Sequence, residues 1–174
     1  MILFRHADPR FPFLWESSSQ PPARWHGTGE GPVQYLADTP TGAWAEFLRH
    51  EEIRDQATLA TVSRAIWAVE VSTLPRAVPT LTPRVLTGGL SSHVACQAEA
   101  RRLRRRRVRG LRAPSAALLP GAASGWRVDG GLQAAGPRDG AVVVLFGRRP
   151  TLVGWRTAAQ GRPDPELLNR VRHF

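Results

Sequence analysis

The apolar positions of this chain fall into short bursts separated by polar, proline-rich and glycine-rich text. Met1-Ile2-Leu3-Phe4-Arg5 reads as a first or edge strand. About 27 residues crowded with Pro, Ser and Gly follow it, and so long a connection inside a compact domain is usually functional. Val33 to Ala37 reads as a strand with Tyr35 on one face and Gln34 and Leu36 on the other. A helix is expected straight after it. Thr39 can cap it, Pro40 suits its first position, and Ala43, Trp44, Phe47 and Leu48 recur at helical spacing.

Ala65 to Val71 alternates as a half-buried strand, and Pro75, Pro79 and Pro83 then mark a loop or irregular edge. A helix is expected from Ser91 or Ser92 through Ala95, Ala98 and Leu103 to Arg106. Val108 to Ala113 reads as a short strand ending in Pro114-Ser115. Ala141 to Phe146 is a continuous apolar run of a buried strand, with Leu152 to Trp155 as its expected hairpin partner and Pro165 to Phe174 as a closing helix. No repeat or linker divides the text, so residues 1–174 are read as one domain.

Composition narrows the chemistry. The net charge of +10 comes from arginine alone, because the chain has no lysine. Schiff-base lysines, P-loop lysines and lysine bases are thereby excluded. Codon bias explains such a composition, and guanidinium groups also bind phosphates bidentately. The lone Cys96 cannot form an internal disulfide, and no Cys/His spacing suggests a metal site. No signal-peptide pattern is seen, nor an apolar run near the ~20 residues of a membrane span. A soluble, cytoplasmic protein that does not engage a membrane is expected.

Candidate chemistry concentrates between Arg24 and Glu46. Glu46 is a carboxylate in an otherwise apolar helical segment, Ala43 to Leu48. Tyr35, the one tyrosine, sits beside the loop Gly27-Thr28-Gly29-Glu30-Gly31 and either packs as an ordinary strand residue or stacks on a planar cation, an attraction of roughly 0.5 to 2 kcal/mol. Arg5 and Arg24 are either two of many surface arginines or converge on a pyrophosphate. The glycine loop precedes a strand and so is not a dinucleotide fingerprint. The run Arg101 to Arg109 invites nucleic acid, an acidic protein partner or plain solvation; it lacks interleaved aromatics that would stack bases. Cys96, with His93 one turn away, reads as a buried structural thiol.

These blocks, taken in order, resemble the RES family, intracellular bacterial toxins of toxin–antitoxin pairs named for an arginine, a glutamate and a serine. The resemblance runs through Leu3-Phe4-Arg5, Arg24-Trp25, Tyr35-Leu36-Ala37-Asp38, Ala43-Trp44-Ala45-Glu46 with His50, Cys96-Gln97-Ala98-Glu99-Ala100, Gly110-Leu111-Arg112-Ala113-Pro114-Ser115-Ala116 and Val144-Leu145-Phe146. It implies an α+β fold similar to ADP-ribosyltransferases, with a central twisted and split β-sheet and flanking helices.

The resemblance also implies an activity that destroys NAD⁺ at its nicotinamide–ribose bond, with phosphate or water as acceptor and NAD⁺ as substrate, not as a resident cofactor. It assigns Arg5, Glu46 and Ser115 as catalytic. Arg5, Arg24, Tyr35, Ser92 and Ser115 would bind NAD⁺, with Arg5 and Arg24 at the pyrophosphate and Tyr35 on the nicotinamide. No metal is called for. Ser115 matches the signature serine, with Ser92 second and Ser91 beside it. A cognate antitoxin, of helix-turn-helix DNA-binding type, would restrain the enzyme, and homo-oligomers within that complex are compatible with it. Two alternatives stay open: a mono-ADP-ribosyltransferase acting on a macromolecule, and a non-catalytic basic module that binds nucleic acid directly.

Overall fold

The computed structural model describes residues 1–128 and 130–174. Eight strands and four α-helices follow in the order β1 (Ile2–Ala7), β2 (Val33–Ala37), α1 (Pro40–His50), α2 (Gln56–Ala60), β3 (Arg64–Glu70), α3 (Pro83–Leu86), α4 (His93–Arg105), β4 (Gly110–Pro114), β5 (Trp126–Val128), β6 (Leu132–Ala134), β7 (Ala141–Phe146) and β8 (Val153–Gly161). Six strands form an antiparallel sheet in the order β4-β7-β2-β1-β3-β8, and β5 and β6 pair as a separate hairpin.

The sheet is split, as expected for the α+β class. β4, β7 and β2 make one fully laddered half and β1, β3 and β8 the other, yet β1 and β2 are joined at one register pair, Phe4↔Ala37. Beyond that pair the strands splay, with Arg5 and His6 on one lip and Tyr35 on the other. A cleft therefore opens where a closed sheet would continue its ladder.

Sequence chemistry accounts for the elements that frame this cleft. Thr39 is the N-cap of α1, its Oγ1 accepting the Gly42 N–H at 2.9 Å, and Pro40 occupies the first helical turn where no donor is lost. The inner face of α1 buries Ala43, Phe47 and Leu48. Cys96, Glu99, Ala100 and Leu103 recur at one helical face of α4 and are buried, which packs α4 against Val33, Tyr35 and β7. The opposite sheet face buries Leu3, Leu36, Val69, Val143 and Leu145 under Phe13 and Leu152 of the long connections.

Two expectations are corrected. β8 is not the hairpin partner of β7; it crosses to the far edge and pairs with β3 over residues 153–161. Both edges of β7 are already taken by β2 and β4, which leaves no ladder for a third strand. The closing segment is a 3-10 helix confined to Pro165–Arg170 and does not run to Phe174, because Val171 leaves it extended to bridge Leu118. The loop or irregular edge expected after Pro75 runs to residue 82, and the short helix α3, opened by Pro83, follows it.

Candidate active site

α1 projects Glu46 and, three positions on, Arg49 from one face into the cleft. The carboxylate of Glu46 accepts a hydrogen bond from the Ser115 hydroxyl at 2.9 Å. Ser115, buried at the end of β4, is itself fixed because its Oγ accepts the N–H groups of Ala117 and Leu118, each at 3.2 Å. One hydroxyl thus ties the turn after β4 to the cleft carboxylate. Burial raises the Glu46 pKa; the Ser115 hydrogen bond, then the charges of Arg49 and Arg24, oppose that rise.

Three guanidinium groups line the same cavity. Arg24, 9% exposed, donates from Nη1 to the Ser92 hydroxyl at 2.8 Å and from Nη2 to the Gly88 carbonyl at 2.6 Å. Arg49, 3% exposed, donates from Nη2 to that same Gly88 carbonyl at 2.6 Å, and from Nη1 to the carbonyls of Ala116 and Arg172. Two cations share one acceptor, and burial with the neighbouring Arg24 lowers the Arg49 pKa to about 10. Gly88 is required there, since a Cβ would sit 2.8 Å from the Arg84 carbonyl oxygen. Arg5 donates from Nη1 to Gln34 Oε1 at 2.6 Å, and burial lowers its pKa to about 10.

Tyr35 presents its ring to the cavity and turns its hydroxyl inward. The hydroxyl accepts the Trp25 N–H at 3.0 Å and meets His26 Nδ1 at 2.9 Å. His26 Nε2 lies 2.9 Å from the Pro21 carbonyl, which can only accept, so the imidazole carries its proton there and Nδ1 accepts from Tyr35. Burial raises the Tyr35 pKa and lowers that of His26, which keeps both groups neutral.

The structure brings Arg5, Arg24, Tyr35 and Glu46 into one cavity of about 240 Å³. Ser115 and Ser92 support it from behind: Ser115 holds Glu46, and Ser92 accepts from Arg24 while donating to the Gly89 carbonyl at 2.6 Å. Ser91 is exposed. The glycine loop turns away from the cavity, held by Glu30, which accepts the Gly27 N–H at 2.6 Å and pairs with Arg101 at 3.0 Å. Gly29 there has φ +75°, which glycine alone adopts freely. Arg104 donates to the Glu30 carbonyl at 2.7 Å, so two arginines of the basic run, Arg101 and Arg104, brace this loop; Arg105, Arg106, Arg107 and Arg109 stay exposed.

Sequence reasoning passed over Arg49, His6, His93 and Phe174, which also line the cavity. Arg49 was detectable as the residue sharing the Glu46 face one turn on. Phe174 was not, because its ring reaches the Arg49 guanidinium, 4.4 Å away, only through the tertiary fold. Burial, then the positive groups around it, lowers the His6 pKa to about 3; the same causes bring His93 to about 4. Among the described residues no helix is long and apolar enough to cross a membrane.

The RES domain family matches residues 2–156 of the chain. The chain belongs to the RES family. No curated protein matches it. A solved structure similar to this RES domain is the crystal structure of the M. tuberculosis MbcT-MbcA toxin-antitoxin complex, at 17% identity and a TM-score of 0.58, covering 97% of this chain and 86% of that one. At that identity the likeness speaks to the fold alone.

Proposed function

We propose that this RES-domain protein is a toxin that degrades NAD⁺ by cleaving the nicotinamide–ribose bond. The observation that carries this reading is one half-buried carboxylate, Glu46, facing three largely buried guanidinium groups, Arg5, Arg24 and Arg49, in a cleft with an aromatic wall. Such a site suits a substrate with a diphosphate and a cationic ring.

The C–N bond breaks with its electron pair leaving on the nicotinamide nitrogen, which becomes neutral. Positive charge develops on the ribose C1′ and its ring oxygen, and the Glu46 carboxylate stabilises it in a site that excludes bulk water. Tyr35 packs on the nicotinamide, and the arginines fix the diphosphate so that the scissile bond stays beside Glu46. Ser115 aims the carboxylate and helps keep it ionised. Water or phosphate then attacks C1′, giving ADP-ribose with release of a proton, or ADP-ribose phosphate.

An enzyme of this kind needs restraint, and the M. tuberculosis relative is a toxin-antitoxin complex. We therefore propose an antitoxin partner for this chain as well. The inward use of Arg101, Arg102 and Arg104, bonded to Glu30 and Glu99, weighs against a module whose business is nucleic acid.

The test is incubation of the purified protein with NAD⁺, with and without phosphate, followed by mass spectrometry beside Glu46→Gln and Arg5→Ala variants. Free nicotinamide with ADP-ribose or its phosphate, lost in Glu46→Gln, is the expected result. Label appearing on a protein or nucleic acid would replace this reading with a transferase, and intact NAD⁺ with uncomplexed wild type would remove it.

A further inference from the structure

The cavity that holds Glu46 opens into a second, larger one of about 680 Å³. Arg5, His6, Ala23, Tyr35 and His50 belong to both, so the two share a neck. Glu46, Arg24 and Arg49 lie only in the smaller chamber, whereas Phe11, Trp15 and Arg64 lie only in the larger. The 240 Å³ of the smaller chamber falls below the ~300–1000 Å³ typical of pockets that enclose a drug-sized ligand. A dinucleotide reacting at Glu46 must therefore pass most of its bulk through the neck.

We infer that the larger chamber is the adenylate site, with Trp15 and Phe11 as the surface on which the adenine packs and Arg5 at the neck holding the phosphate between the two chambers. The inference rests on the NAD⁺ reading above and assigns the two ends of that substrate. It gives a purpose to the first part of the long connection after β1, residues 8–22, which the Glu46 chamber leaves unused.

Two features support it. First, both aromatics are exposed, Phe11 at 63% and Trp15 at 42%, on the wall of a concave site. Second, the connection is clamped. The fully buried side-chain amide of Gln34 accepts the Trp15 N–H at 3.2 Å and donates to the Trp15 carbonyl at 2.5 Å, and the same Oε1 accepts from Arg5 at 2.6 Å. One amide from β2 therefore sets the Trp15 backbone and the Arg5 guanidinium at a fixed separation. A stacking platform and a phosphate ligand held in register are what an adenylate requires.

The experiment uses three probes on the full chain: NAD⁺, nicotinamide mononucleotide and AMP. Nicotinamide mononucleotide carries the scissile bond without the adenylate, and AMP carries the adenylate without that bond. Truncation of one exposed ring leaves the Gln34 clamp intact, because the clamp holds backbone atoms, and melting temperature confirms the fold. Trp15→Ala is expected to raise KM for NAD⁺ and weaken AMP binding by about 5- to 150-fold, since base stacking on an aromatic contributes on that scale. Cleavage of nicotinamide mononucleotide should be unchanged. An equal loss for NAD⁺ and nicotinamide mononucleotide would overturn the inference by placing the nicotinamide end at Trp15, as would failure of wild type to bind AMP. Trp15-dependent AMP binding by a protein that cleaves no NAD⁺ would uphold the chamber and overturn the reaction.

Discussion

Replacing Ser115 by alanine removes one oxygen that makes three hydrogen bonds, and the structure separates their consequences. The bond to Glu46, 2.9 Å long, is donated to a half-buried carboxylate, and hydrogen bonds to charged groups contribute about 1.5–3 kcal/mol. At 1.36 kcal/mol per tenfold, its loss corresponds to a fall in NAD⁺ cleavage of roughly 10- to 150-fold near neutral pH, if the carboxylate acts at the ribose. The Ala117 and Leu118 N–H groups lose their acceptor as well, at roughly 2 kcal/mol for buried donors left unpaired, or about 4–8 °C in melting temperature for a domain of this size. The sign of the pH effect follows from Glu46. Its pKa is raised by burial and pulled back by Ser115, so deleting the hydroxyl moves it further up. The active carboxylate then disappears at a higher pH on acidification, and the acid limb of the rate profile shifts upward. Initial rates of NAD⁺ loss between pH 4 and 9, beside Ser115→Thr as a hydroxyl-retaining control, measure this. A limb that stays in place while KM rises would mean that Ser115 acts on the substrate directly and that the positioning role is wrong.

Arg49→Met should abolish NAD⁺ loss and lower unfolding free energy by at least ~3 kcal/mol in a urea titration, because three carbonyls lose a charged donor; a stable, active variant would refute its role. His6 is held neutral with its pKa lowered from 6.5 to about 3, so the unfolded chain takes up the proton first and stability, full above pH 6.5, declines as pH falls toward 3. His6→Gln should flatten that slope in melts across the window, and an unchanged slope would exclude His6 as its source. Tyr35→Phe should keep the ring wall but strand the Trp25 N–H and His26 Nδ1, costing roughly 1–3 kcal/mol in stability with a smaller effect on KM than Tyr35→Ala. Changing exposed Arg105, Arg106 and Arg107 together to Gln should leave stability within about 0.5 kcal/mol per site, whereas Arg104→Gln should loosen the glycine loop and lower the melting temperature measurably.

The elements around the cleft were legible because their signals are local. Thr39-Pro40 announced α1, and the alternation around Tyr35 announced β2, since capping and side-chain alternation act over a few residues. The partner of β8 was not legible, because whether β7 has a free edge depends on strands far away in sequence. The site divides in the same way. Glu46, Arg5, Arg24 and Tyr35 stood out by residue type and neighbourhood, and all four line the cavity. The glycine loop also stood out, yet it faces α4, since Glu30 finds Arg101 more than seventy positions away. Gln34 looked like a strand residue of no interest until its amide was seen to hold Arg5 and Trp15 together.

The seam between the half-sheets, closed by the Phe4↔Ala37 pair, also makes ligand and fold interdependent. Arg5 rides on one half and Tyr35 on the other, so a molecule that touches both supplies cohesion that the missing ladder does not. Its contribution grows with concentration as RT ln(1 + [L]/Kd), about 2.7 kcal/mol at a hundredfold excess over Kd. On the proposed reading, a substrate that bridges the seam is a mortar as well as a meal: in proportion as it is consumed, the two halves lose the piece that spans them.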